Sequence, residues 1–345
     1  MALRDPWNRA VDLVEILEAA YRVEQPEEAW LGGVLDAARP GLDDGLGVMA
    51  YTYDASNPKD FKLRCISSRD ALPPLVEFFK ASVADLPADW VETNFPSKRT
   101  QVIRDMPGWE RFMALPHRLD EDHVVDDVIG INGLDPSLIG CMLGAYSSRA
   151  HRLTSRARAT WNRIGTHLAS AFRLQRALQA AKEHAAPTEA VLAPSGRVLH
   201  AEQPAQDRFV RDALSEACQA IERARTRQGR LEGEISLSLW RSLVSERWTL
   251  VDTYERDGKR YVVARRNDVW FPRPEALSPR ERQALGFAVL GDSNKLIAYE
   301  LGISPSTVGV LLHRAAQKLR CRSRAELVQR FRELAAGELP KPSTH

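Results

Sequence analysis

The chain has 345 residues, enough for two or three domains, and its 44% hydrophobic and 27% charged residues are ordinary for a globular protein, which argues against disorder. No run approaches the ~18 consecutive apolar residues of a membrane span, and the charged N-terminus, Met1 to Trp7, lacks an apolar signal core, so a cytoplasmic location is expected. Net charge is only +2, yet ten Lys/Arg against five Asp/Glu fall between Leu277 and Ala336, which leaves −3 on the 276 residues before that segment. Basic charge gathered into one short stretch points to a nucleic-acid partner there.

Taken in chain order, residues 1–184 alternate helical and strand-like patterns. Trp7, Val11, Val14, Leu17 and Tyr21 recur at helical spacing. Gly47 to Tyr53 and Phe61 to Ile66 read as strands around a turn-rich Asp54 to Pro58. Pro73 opens a helix carrying Leu75, Val76, Phe79 and Val83. Val124 to Ile131 and Leu138 to Tyr146 are further strands. A long helix runs from about Thr154 to Lys182, and its seam of Trp161, Ile164, Leu168, Phe172 and Leu178 predicts a homodimer contact. Trp90, Phe95, Trp109 and Phe112 form a candidate ligand-cavity set; aromatics packed as plain core are the competing reading. This order of elements, ending in Gly140 to Ser148 and a helix with His167 to Leu174, resembles a GAF domain, which implies an α+β sensory fold.

A linker is predicted at His184 to Thr188. A second module, residues 188–270, opens with a hairpin from Val191 to Leu199 turning at Ser195-Gly196. A helix from Asp207 to about Arg227 places Phe209, Ala213, Ala217, Ile221 and Ala224 on one face. Strands Trp248 to Glu255 and Arg260 to Arg266 are joined at Asp257-Gly258. The module resembles a small PAS-like domain. Pro272 and Pro274 mark the next linker. Cys65, Cys141, Cys218 and Cys321 are too scattered for a zinc site, so no metal and no cofactor are expected.

Residues 277–336 carry the densest local signals. Ser278, Pro279 and Glu281 make a capping box with proline at the first helical position, and that helix stops at Gly291. Ser293 caps a second helix holding Leu296, Ile297, Ala298 and Leu301, with Gly302 after it. A short glycine turn between two helices is a helix-turn-helix signature. Ser304, followed by Pro305, caps a third helix with Val308, Leu312, Ala315 and Leu319 along one side. Ser323-Arg-Ala-Glu326 opens a fourth. The expected DNA-contacting set is Lys295, Ser306, Thr307, Gly309, Val310, His313, Arg314 and Lys318, with Gln317 on the same face.

Leu277-Ser-Pro-Arg-Glu, Ser293-Asn-Lys-Leu-Ile-Ala298, Leu301-Gly-Ile-Ser304, Ser306-Thr-Val308, Lys318-Leu319 and Ser323-Arg-Ala-Glu-Leu327 resemble the LuxR-type (GerE-like) DNA-binding domain in order and spacing. The resemblance implies double-stranded DNA as partner and pairing of two copies through the fourth helix. By position, Lys295 and Thr307 would meet the backbone, while Gly309, Val310 and His313 would sit at the bases. Two positions depart from the family: Gly309 stands where Lys is usual, and Leu311 where His is usual. The whole chain then reads as a multidomain one-component transcription regulator, with GAF-like and PAS-like α+β sensory domains before an all-α four-helix domain. An unknown small molecule is the expected signal, and RNA polymerase is a further candidate partner. The competing readings are a sigma-factor-like promoter-binding protein, which would share the Lys318-Leu-Arg320 ending, and a scaffold or adaptor whose upstream domains bind proteins. No phosphate loop or catalytic constellation is found, and no enzymatic activity is expected.

Overall fold

The computed structural model describes residues 7, 11–84, 86–96, 100–111, 115–181, 188–245, 247–255, 258–269 and 276–338. Helix α1 (Leu13–Ala20) begins at Asp12, whose carboxylate accepts the N–H groups of Val14 and Glu15 at 3.0 and 3.1 Å. Helix α2 (Glu27–Ala38) follows and carries Gly32 and Gly33 in its middle. Glycine there costs helix propensity, but a Cβ at Gly32 would collide with the Arg69 guanidinium. Its absence lets Arg69 lie across the helix and reach Asp36 at 2.6 Å.

Strands β1 (Val48–Asp54) and β2 (Lys62–Arg69) pair as expected, and α3 (Pro73–Ala84) starts at the predicted proline. Helix α4 (Ala88–Asn94), β3 (Thr100–Val102), the small pair β4 (His117–Arg118) and β5 (Val124–Val125), β6 (Asp127–Leu134) and β7 (Ile139–Ser147) complete this part. The main sheet is five-stranded and antiparallel, in the order β2-β1-β7-β6-β3. Alternation along β1 sorts its side chains to two faces. Val48 and Ala50 join the core beneath α1 and α2. Met49, Tyr51 and Tyr53 point the other way, toward α3 and α4.

Helix α5 (Ser155–Ala180) starts at Thr154, whose hydroxyl accepts the Ala157 N–H. It is followed by β8 (Thr188–Leu192), β9 (Val198–Ala201), α6 (Arg208–Arg225), α7 (Arg227–Leu231), α8 (Gly233–Leu239), β10 (Trp248–Tyr254) and β11 (Arg260–Arg266). The second sheet is four-stranded, in the order β10-β11-β8-β9. Both hairpins form, with Gly196 (φ +86°) and Gly258 (φ +79°) in the left-handed region at their turns. Asp257 of the second turn lies outside the described residues, as do the expected linkers at 184–187 and at Pro272 and Pro274. Phe209 does not join the buried face of α6. It sits in the first turn with 82% of its surface exposed, and Leu214, Ala217, Cys218, Ile221 and Ala224 form the packed face instead.

The α5 seam is also corrected. Trp161, Ile164, Leu168 and Phe172 are all buried within the chain itself, because one side of α5 packs on β6 and β7 while the other meets the second module. They are therefore core and offer no surface to a second copy. Two polar clusters cross this junction. Arg173 donates to Asp135 in the β6–β7 turn at 2.6 Å and to Asn267 beyond β11 at 2.8 Å. Tyr21, at the end of α1, meets His167 Nδ1 at 2.7 Å.

The last part is helical: α9 (Pro279–Val289), α10 (Asn294–Leu301), α11 (Pro305–Lys318) and α12 (Arg324–Glu338). It contacts the rest through α10, where the Tyr299 hydroxyl reaches His167 Nε2 at 2.6 Å and the Leu237 carbonyl at 2.5 Å. Among the described residues no single helix is long and apolar enough to cross a membrane.

Candidate nucleic-acid interface

Each helix of the C-terminal part is delimited by its own side chains. Ser278 Oγ accepts the Glu281 N–H, and the Glu281 carboxylate accepts the Ser278 N–H at 2.8 Å, so the capping box closes in both directions. Ser293 accepts the Leu296 N–H, and Ser304 accepts the Thr307 N–H. At the fourth helix the box is offset by one residue. Ser323 caps the Glu326 N–H, but the Glu326 carboxylate takes the N–H of Arg322 rather than of Ser323.

Between α10 and α11 the chain bends by 104°. Gly302 makes this turn at φ +65°, and the Ile303 N–H returns to the Ala298 carbonyl at 3.0 Å. Val308, Leu311, Leu312 and Ala315 of α11 are buried against α9 and α10. That leaves Ser306, Thr307, Val310, His313, Arg314 and Gln317 exposed on one flank, with Gly309 half-buried among them. An amphipathic helix held at a right angle by two others, with its polar flank free, has the shape that enters a major groove.

Two residues change roles in three dimensions. Lys318 ends in an ion pair with Glu281 at 2.8 Å and so ties the end of α11 to the start of α9. Burial works to raise the Glu281 carboxyl, but hydrogen bonds from Lys318 and Ser278 outweigh it and hold the carboxyl below its usual range. Leu311 is buried, so its departure from the family pattern lies in the core and not on the reading surface. The change at Gly309 does reach that surface. A Cβ there would have one neighbour, Asn294 Nδ2 at 3.9 Å, so packing does not demand glycine. Gly309→Ala is expected to raise stability by about 1 kcal/mol through helix propensity alone, read as a higher urea midpoint.

Lys295, Arg314, Arg320 and Arg322 form no ion pair among the described residues, and all but Arg322 and Arg320 were expected near DNA from the sequence. Those two sit in the Lys318-Leu-Arg-Cys-Arg322 run just past α11, where the density of cations was the available signal. Arg324 is committed to Asn294 Oδ1 at 2.6 Å and the Asp292 carbonyl at 2.7 Å.

Of the expected ligand set, Trp90 and Phe95 line a cavity of about 120 Å³ between the α3–α4 side and the main sheet. Trp109 is not part of its wall and stacks under the Arg104 guanidinium at 5.1 Å. Phe112 lies outside the described residues. The walls that the sequence reading missed come from the sheet: Tyr51, Asn132, Met142 and Tyr146.

The segment with this geometry is similar to a known family: residues 275–331 match the family model described as bacterial regulatory proteins, luxR family. The chain is 47% identical over 68 residues to the transcriptional regulatory protein FixJ of Azorhizobium caulinodans, a match covering 20% of this chain and 31% of that protein. FixJ of Bradyrhizobium diazoefficiens is 46% identical over 57 residues, covering 16% and 28%, and FixJ of Rhizobium meliloti is 38% identical over 85 residues, covering 23% and 41%. The chain thus spans about a third of the length of these curated relatives.

Proposed function

We propose that this protein is a DNA-binding transcription regulator whose upstream α+β domains, GAF-like over residues 1–184 and PAS-like over 188–270, sense a small molecule. The observation that carries the DNA reading is α11: its apolar side is fully engaged while Ser306, Thr307, Val310, His313, Arg314 and Gln317 are presented to solvent beside unpaired cations. The luxR-family match over the same residues supports it, as does the similarity to the FixJ transcriptional regulatory proteins. Ser306, Val310 and His313 read base edges, and Lys295, Thr307 and Arg314 hold phosphates. Gly309 leaves a gap in the reading surface, which shifts discrimination onto Val310, placed to meet a thymine methyl, and onto His313.

The test is binding of the full chain to its genomic sites, mapped first and then titrated in increasing salt. Lys295→Ala weakens binding to all sequences alike and lowers the magnitude of the log–log salt slope by about 1. His313→Ala costs about 1–3 kcal/mol on the preferred site and little on random DNA. A variant pair with neither effect would put another element in the groove.

The protein acts on paired half-sites as a homodimer, and one surface favours a place for that pairing. Leu231, Ile235 and Leu239 recur four apart along α7 and α8 with 76%, 56% and 38% of their surfaces exposed. The same stripe would serve the adaptor reading by docking another protein, RNA polymerase included. Sedimentation of wild type and Ile235→Asp, with and without DNA, separates the two, since only self-association is lost in purified protein.

A further inference from the structure

The cavity between the main sheet and α3–α4 has a chemical character that narrows its ligand, and the inference rests on the sensory reading given above. Its floor is thinned by glycine. Gly130 and Gly144 face each other across β6 and β7, and the Met142 sulfur and the Tyr146 ring lie beside them. A Cβ on Gly144 would meet only ordinary contacts, the nearest being the Met49 carbonyl at 3.7 Å and the Tyr146 ring at 3.8 Å. The rim is aromatic, with Phe79, Trp90 and Phe95 among its members. No Asp, Glu, Lys, Arg or His lines it among the described residues.

Two polar groups in this wall stand out. Tyr51 and Tyr146 are 92% and 96% buried, and neither phenol has a hydrogen-bond partner among the described residues. The three buried amides in the wall are engaged: Asn132 accepts from the Tyr53 hydroxyl at 2.5 Å and donates to the Phe95 carbonyl at 3.1 Å, Asn94 donates to the Trp90 carbonyl at 3.2 Å, and Gln101 donates to the Asn94 carbonyl at 3.1 Å. Burial pushes both Tyr51 and Tyr146 well above the usual phenol range, so each remains an O–H donor at every accessible pH. Neither hydroxyl is among the fully enclosed side-chain atoms that lack a partner, so each opens onto the cavity, where an acceptor can reach it.

We propose that this cavity binds a small, uncharged, single-ring molecule that offers a carbonyl or similar acceptor to the Tyr51 and Tyr146 hydroxyls. Size sets the first limit, since a cavity of about 150 Å³ lined by apolar side chains accommodates benzene, and this one is about 120 Å³. The uncharged wall sets the second, because a carboxylate or ammonium would enter without a counter-charge. The unpaired donors set the third.

The experiment is isothermal titration of the full chain with three probes of matched shape. Acetophenone carries the acceptor, α-methylstyrene replaces the oxygen by CH₂, and benzoate is charged. The expected result is 1:1 binding of acetophenone, roughly tenfold weaker binding of α-methylstyrene, and none of benzoate. Tyr51→Phe and Tyr146→Phe remove hydroxyls that pair with nothing in the protein, so both variants fold with unchanged or raised Tm. At least one of them lowers acetophenone affinity to the α-methylstyrene level without weakening α-methylstyrene. Gly144→Leu fills the floor and abolishes binding of both neutral probes. Benzoate binding as tightly as acetophenone, or acetophenone binding unaffected by either Phe variant, overturns the acceptor assignment while leaving an apolar sensory cavity. Absence of binding by every probe overturns the assignment together with the sensory reading of this cavity.

Discussion

Asp135→Ala is expected to lower the unfolding free energy by about 3–5 kcal/mol, the range for breaking a buried ion pair by removing one partner. Asp135 and Arg173 retain 5% and 9% of their side-chain exposure and meet at 2.6 Å. Asp135 is held for this contact by its own turn, since its second carboxylate oxygen caps the Ser137 N–H at 2.9 Å. Arg173 in turn donates through Nε to Asn267, and Asn267 donates to Ser170 and Thr249. Removing the carboxylate leaves the guanidinium buried with one neutral partner, and Arg173 Nη2 already has no hydrogen-bond acceptor. The loss also unties the β6–β7 turn from the second module, because Arg173 is the bridge between them. Urea unfolding of Asp135→Ala, Arg173→Met and the double variant checks this. Each single variant loses several kcal/mol, and the double loses clearly less than their sum because no unpaired charge remains. Additive losses would mean that the two side chains do not act as a pair in solution.

The contrast between the two ends of the chain shows what a single sequence exposes. In the C-terminal part every boundary is written in one or two adjacent residues. Ser278, Ser293 and Ser304 cap their helices, and Gly302 makes the left-handed turn, so local chemistry alone places the elements. The upstream architecture depends on contacts between distant segments. The Gly32-Gly33 pair hides α2 from a propensity reading, and only the fold shows that the Arg69 side chain of β2 lies across Gly32. The apolar positions of α5 were legible, but whether they face a second copy or a second module was not. The answer lies in β8 to β11, a hundred residues away for some partners. Lys318 flanks the exposed face of the third helix in the sequence pattern, whereas the buried Glu281 that pairs with it sits 37 residues earlier in the chain. The ligand cavity was half legible. Its aromatic helix side, Trp90 and Phe95, shows in the sequence, but its sheet side depends on strand register, which puts Tyr51 and Tyr146 on one face beside the Gly130–Gly144 pair.

The second large effect is on pH dependence, and it comes from the contact that holds the DNA-binding part to the rest. His167 is fully buried, and burial lowers its pKa from 6.5 to about 3. Hydrogen-bond counting fixes its state. Tyr299 has one proton, and the 2.5 Å contact to the Leu237 carbonyl takes it, so Tyr299 must accept from His167 Nε2–H. Nδ1 is then the acceptor for the Tyr21 hydroxyl. The run is directional, from α1 through α5 to α10 and α8, and it works only with neutral histidine. Burial raises the pKa of both tyrosines, which keeps them protonated. In the unfolded chain His167 takes up a proton below pH ~6.5, whereas the folded chain resists it down to about 3. Its contribution is therefore complete above pH ~6.5 and is lost at up to about 1.4 kcal/mol per pH unit as pH falls through that window. Between pH 7.5 and 5.5, wild type should lose about 1.4 kcal/mol more than His167→Gln, which keeps one donor and one acceptor but does not titrate. Equal losses would show that His167 is not held neutral. Tyr299→Phe tests the link itself. It strands the Nε2–H of His167 and the Leu237 carbonyl, and it removes the polar tie between α10 and α5. Amide exchange across residues 276–338 should then rise while the main sheet stays protected. Because Leu168, the neighbour of His167, packs directly over Gly133 of β6, the strand that also floors the cavity, a ligand that moves β6 would act on this same contact. It can do so only by binding the tied and released forms with different affinity, so a cavity ligand and Tyr299→Phe should change each other's effect on DNA affinity.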